Sequence, residues 1–169
     1  MDGQALRALQ APLKERYRTE PDAAVVTLRA EGSVDGSGIA CSVRTSKALI
    51  EAGLHPATGG SGMQACSGDM LLEALVACAG VTMKAVATAL DIEIRGGTVR
   101  AEGDLDFKGT LGVDRAAPVG FRDIRLAFDL DTDADAESLA TLRKLTERYC
   151  VVYQTIRQAP PVEVVFRTA

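Results

Sequence analysis

A chain of 169 residues, 47% hydrophobic and 25% charged, has the size and composition of one globular domain with a sizeable core, read here as spanning 1–169. Its net charge of -4 and the lack of any clustered Lys/Arg tract exclude nucleic acid as the main partner, since phosphate binding needs concentrated positive charge. Residues 1–24 carry charges throughout and no uninterrupted apolar stretch, so no secretory signal is read there and a cytoplasmic location is expected.

Residues 4–18 predict a short amphipathic helix (Leu6, Leu9, Leu13) that Pro12 interrupts and Pro21 ends, giving a helical arm over 1–22. From Ala24 to Glu31 apolar and polar residues alternate, and they do so again from Ile39 to Thr45 after a turn over 32–38. The two runs predict an antiparallel hairpin with Cys41 on its apolar face. One or two helical turns are expected over Lys47–Ala52. The segment 53–62 is a Gly-rich loop without the G-x-x-x-x-G-K-[ST] pattern of a phosphate cradle, and a loop in that place suits a pocket mouth. His55, the only histidine, is either a hydrogen-bonding loop residue or a proton-transfer group.

The organising stretch follows. Between Glu73 and Lys84 there is no charge, and Ala74, Ala77, Cys78, Ala79 and Gly80 keep the middle small, as a helix buried on nearly all sides requires. The helix is expected over 69–90, with Ser67 as N-cap and Asp69 placed where the helix dipole favours a carboxylate. Its uncharged core is about half of the roughly 20 residues needed to span a bilayer, so it reads as a core helix and no membrane partner is expected. Period-two patterns then return over 92–103, 104–111 and 121–130. A helix capped by Asp133 or Asp135 carries the stripe Leu139, Leu142, Leu145, Tyr149, with helical spacing persisting to Ile156, and Val162, Val164 and Phe166 alternate as a closing strand. Clustered strands with two helices make this an α+β domain, and a helix this apolar calls for cover from a second copy of the chain.

Cys41, Cys66, Cys78 and Cys150 include no C-x-x-C pair, so a closed zinc site lacks its usual ligands and no metal is expected. Cys66 stands in a loop position, with a role as alternative resolving thiol left open. Taken alone, each of Cys78 and Cys150 reads first as a small buried hydrophobe, and the residues by themselves do not decide between that and a redox thiol.

The run from Asp69 to Met83 (DMLLEALVACAGVTM), behind a Gly-rich loop and followed by Glu147-Arg-Tyr-Cys150, resembles the OsmC/Ohr family of thiol-dependent hydroperoxide reductases, with similarity from about Ala24 to Phe166. The resemblance implies an OsmC-like fold: an intertwined homodimer in which a long buried central helix packs on antiparallel sheet. It also implies Cys78 as the peroxidatic thiol and Cys150 as the resolving one, a hydroperoxide substrate, an external dithiol reductant and no cofactor. In the family an arginine held by an acidic residue activates the thiol. Here the acidic position is matched by Asp69, the turn over 32–36 has no arginine, and Arg29 and Arg44 flanking it are the substitutes. Arg29 shares its strand face with Glu31, so a surface ion pair is the other reading of it. Val151 and Tyr153 stand where the family commonly has proline and serine. The alternative function is an OsmC-like ligand-binding or redox-sensing protein without peroxidase turnover.

Overall fold

The computed structural model describes residues 3–33, 42–43, 52–63 and 65–166. Its central element is α2, Ser67–Ala89, 23 residues built from the uncharged run and its flanks. The helix starts directly out of a short strand: Ala65–Cys66 (β4) pairs in parallel with Ala52–Gly53 (β3). Cys66 is therefore the N-cap residue, with no side-chain cap, and Ser67 is already helical rather than the cap expected of it. Asp69 does lie in the first turn. Ala52 belongs to β3 and not to a helical turn, because it has a strand partner in Ala65; residues 47–51, Cys41 and Arg44 fall outside the described residues.

By length and composition α2 could cross a membrane, but half of its most apolar window is buried within the chain. Leu72, Leu75, Val76, Met83 and Ala87 form the main core with Val99 and Ala101 of β5 (Gly96–Asp106) and Leu142 of α4 (Ala136–Tyr149). The sheet has the order β2-β1-β5-β6, antiparallel throughout, with β1 at Val25–Ser33, β2 at Ser42–Val43 and β6 at Phe121–Asp131. On β6 the expected alternation holds: Ile124, Leu126, Phe128 and Leu130 turn toward the core side, while Arg125 and Asp129 face out. The outer face is laced with ion pairs, Arg125 with Asp104 at 2.6 Å, Arg95 with Asp131 at 2.6 Å and Arg100 with Asp129. Gly97 permits the β5–β6 pairing: its φ is +147°, and a Cβ there would lie 2.3 Å from the Asp129 carbonyl oxygen.

Three sequence expectations are corrected, and a fourth is refined. The segment 92–111 holds one strand, β5, and not two, because Asp106 ends the strand by accepting the Lys108 N–H at 3.1 Å and opens a helical turn, α3 (Phe107–Thr110). Phe107 and Leu111, four apart, are both buried against Tyr17 and Ala24, a spacing that in so short a run fits a strand or a helix. Pro12 does not interrupt the first helix; α1 runs from Gly3 to Thr19 through it, anchored where buried Tyr17 donates its hydroxyl to the Ala57 carbonyl at 2.6 Å. The helical spacing to Ile156 is present but divided: Cys150 is extended, with ψ of 107°, and a separate α5 (Val151–Arg157) follows α4. Residues 162–166 form no strand and have no strand partner among the described residues, and Phe166 is 93% exposed.

One side of the core is open. A groove of about 1600 Å³ runs between α2, β6 and α4, lined by Leu71, Leu75, Ile124, Phe128, Leu139 and Ile156 among others. Leu72, on the closed side, is fully buried. Leu72→Ala is expected to lower stability by about 3 kcal/mol in urea unfolding, through lost transfer energy and an unfilled cavity.

Candidate active site

The break between α4 and α5 builds the site. Of the two candidate caps, Asp133 and Asp135, it is Asp135 that caps α4 by accepting the Ser138 N–H at 2.8 Å, and Leu142 holds the helix on the core. At Cys150 the chain leaves α4 and re-enters helix at once. Cys150 is 1% exposed and is both the C-cap of α4 and the N-cap of α5, its sulfur accepting the Tyr153 N–H at 3.4 Å. This turn sets Cys150 and the first amides of α5 against the middle of α2, where Cys78 is half-buried.

Among the described residues, the hydrogen-bonding groups that act on the Cys78 sulfur are the Val152 N–H, the Cys150 thiol, the Thr82 hydroxyl and the Val151 N–H. Burial pushes this thiol up, but the four hydrogen bonds together outweigh burial, and its pKa falls below the ordinary thiol value. Cys150 goes the other way. Burial raises it most, the Tyr153 amide opposes that most strongly, and the bond it donates to Cys78 and the charge on Cys78 raise it further against a small effect of the Val152 amide, leaving it at about 11. Two thiols in contact thus have opposite tendencies, one toward thiolate and one kept protonated, which is the division a nucleophile and its resolving partner need.

The other sequence candidates lie elsewhere. Asp69 stands nine residues before Cys78 on the same helix, about 13 Å along the axis and half a turn round, so it does not touch the sulfur of its own chain. Among the described residues it interacts electrostatically with His55 and Glu73; burial raises the Asp69 pKa and the neighbouring His55 opposes that rise. His55 takes the loop role: its Nδ1 accepts the Ala57 N–H at 3.0 Å, capping the turn Pro56–Thr58, and its ring stacks on Phe107 with centroids 4.9 Å apart. Arg29 lies mid-β1 in register with Glu102 of β5, and Arg44 is outside the described residues. Cys66, twelve residues before Cys78 along α2, lies about 18 Å away along the axis, beyond disulfide reach within one chain.

Among the described side chains, every group acting on the Cys78 sulfur is neutral. Thr82 had a readable signal, the i,i+4 spacing from Cys78. The Val151 and Val152 amides had none, because a backbone donor carries no residue signature. Loss of the Cys150 donor in Cys150→Ala is expected to raise the pH at which Cys78 reacts half-maximally with iodoacetamide, read on the Cys78 peptide by mass spectrometry. The sign follows from the bond: it stabilises the charged form, so its removal moves the titration upward.

Comparison with known proteins follows the same lines. The family model described as OsmC-like protein matches residues 60–165, which include α2, the sheet strands β5 and β6, and the α4–α5 junction. A solved structure, an OsmC-like hydroperoxide resistance protein from Jannaschia sp. CCS1, superposes with a TM-score of 0.60 over 86% of this chain and 95% of that one at 17% identity, a likeness of fold. No curated protein matches the chain. With more than half of its length matched by one family model, and the α+β architecture of central helix on antiparallel sheet in place, this chain belongs to the OsmC-like protein family.

Proposed function

We propose that this protein reduces hydroperoxides through Cys78 and Cys150, the whole chain acting as one OsmC-like unit. The observation that carries the reading is the contact between the two thiols with their pKa values driven apart, Cys78 down and Cys150 up. In the proposed cycle the Cys78 thiolate attacks the terminal peroxide oxygen and the O–O bond breaks. The alkoxide leaves and takes up a proton as alcohol, or as water when the substrate is hydrogen peroxide, and Cys78 becomes a sulfenic acid. The Cys150 thiol then condenses with it, releasing water and forming the disulfide, and an external dithiol returns both sulfurs to the reduced state as it is itself oxidised. The chemistry needs no cofactor, and a reducing cytoplasm suits thiols that must be regenerated. The apolar groove beside Cys150 favours an organic hydroperoxide, whose hydrocarbon part it could shelter.

A homodimer belongs to the same proposal. The open groove leaves the half-buried face of β6 and Leu71 of α2 uncovered within one chain, an apolar surface that a second copy could cover. The geometry of α2 makes a second point: Asp69 cannot reach the Cys78 of its own chain, so the part the family pattern assigns to it, with Arg29 or Arg44 as the cation it holds, would be played across the subunit boundary.

Reduced protein treated with stoichiometric cumene hydroperoxide is expected to lose two hydrogens by intact mass, with a Cys78–Cys150 peptide link. Cys150→Ser should instead accumulate sulfenic acid, and Cys78→Ser should stay unchanged at Cys150. Thiols indifferent to peroxide at both positions would favour the ligand-binding reading of the family. Sedimentation equilibrium is expected to give twice the chain mass, and Leu71→Asp, a charge in the groove, should shift the equilibrium toward monomer by tenfold or more.

A further inference from the structure

The loop ahead of α2 is folded around Ala57, whose two backbone groups are both held by side chains. Its N–H donates to Nδ1 of His55 at 3.0 Å, and its carbonyl accepts the Tyr17 hydroxyl at 2.6 Å. His55 is the N-cap of the helical turn Pro56–Thr58, and its own carbonyl accepts the Thr58 and Gly60 amides at 2.8 and 3.1 Å and the Thr58 hydroxyl at 2.9 Å. The imidazole is stacked on Phe107 of α3, with the two planes 15° apart. This turn is where α1 docks, because buried Tyr17 also packs with Ala24, Phe107 and Leu111 in a cluster separate from the main core.

An acceptor at Nδ1 exists only in the neutral imidazole with its proton on Nε2; the imidazolium carries N–H at both nitrogens. Protonated His55 sets a donor against the Ala57 N–H, and the cap is lost. We infer that His55 is an acid-sensitive latch for the N-terminal helix: neutral, it caps the Pro56–Thr58 turn and presents the Ala57 carbonyl to Tyr17, and on protonation the cap breaks and α1 is released from the cluster at Phe107 and Leu111. The charges around the ring set where this happens. Burial lowers the His55 pKa, and Asp69 of α2 opposes it with a smaller effect, while Glu73, one turn further on, acts on Asp69. On α3, Asp106 and Lys108 flank Phe107 and pair with each other at 3.5 Å, Asp106 also with Arg122 at 3.8 Å. On α1, Arg16 acts on Tyr17 and pairs with Glu20 at 3.3 Å; burial holds the Tyr17 pKa above its ordinary value, so its hydroxyl stays a donor. With the folded-state pKa of His55 below that of free histidine, the docked form binds fewer protons. Its stability is full above about pH 6.5 and is lost as the pH falls from there through the folded value. The latch involves neither Cys78 nor Cys150 and goes beyond the reductase reading.

His55 is the only histidine of the chain, so nitrogen-15 NMR of the full-length protein reads its tautomer and its titration without ambiguity. The Nε2–H tautomer is expected at neutral pH, with a midpoint below that of a free histidine peptide. Amide hydrogen exchange, corrected for its intrinsic pH dependence and read by mass spectrometry, then follows α1 and residues 55–60. As His55 becomes protonated, both segments are expected to lose protection about fivefold, the scale of a lost helix cap, while β5 and β6 keep theirs. His55→Asn, whose side-chain oxygen caps the same turn and does not titrate, is expected to hold that protection constant over the same range. The Nδ1–H tautomer at neutral pH, a midpoint at or above that of the free peptide, or unchanged protection on protonation would each overturn the latch. So would the same acid loss in His55→Asn. The NMR and wild-type exchange measurements need no variant, so they decide the matter even where the asparagine protein folds poorly.

Discussion

A thiolate set into an apolar helix is unfavourable unless hydrogen-bond donors reach it, and the arrangement around α2 turns on how this chain supplies them. Burial alone would leave Cys78 an inert thiol. The single extended residue at Cys150 offsets that. By interrupting what would be one long helix, it frees the backbone N–H groups of Val151 and Val152 from intrahelical bonds and points them, with its own thiol, at α2. The same residue caps α5 through its sulfur. Cys150 therefore does three things at once: it ends α4, starts α5 and donates to Cys78. The Val152 amide, which acts on both sulfurs, ties the two titrations together.

The second constraint is cover. A core helix needs apolar contact around most of its circumference, and one sheet, one long helix and one short one supply it on only part of α2. Leu72, Val76 and Met83 are sealed, while Leu71 and Val81 are not. The groove that remains opens beside Cys150 and Tyr153, so the surface that wants covering and the surface that an apolar substrate would use are continuous. The N-terminal helix contributes to a separate cluster, where Tyr17 and Ala24 meet Phe107 and Leu111, and there the loop before α2 is pinned by the Tyr17 hydroxyl and by His55 stacked on Phe107.

What was legible in the residues was whatever depends on local period and composition. The uncharged run marked α2, alternation marked β1 and β6, and Asp135 marked the start of α4, each because the signal lies within a few residues of the feature it reports. The DMLLEALVACAGVTM run was specific enough to point to the family. Misreadings arose where a short run fits two periods, as at Phe107–Leu111, or where a local rule met a tertiary anchor, as when Tyr17 and its helix carried on past Pro12. The alternation at Val162, Val164 and Phe166 was real, but a strand also needs a neighbour.

By itself, then, the sequence determined the order and type of the principal elements and singled out two cysteines, because hydrophobic period, caps and motif are properties of neighbouring residues. Tertiary structure alone decided which groups beyond the Cys78 helix meet its sulfur. Two of them, among the described residues, are backbone amides more than seventy residues away, and their direction depends on one backbone dihedral at Cys150. Tertiary structure also separated Asp69 from Cys78 and joined it to His55, since a helix fixes spacing along its own axis but says nothing of which loop folds against it.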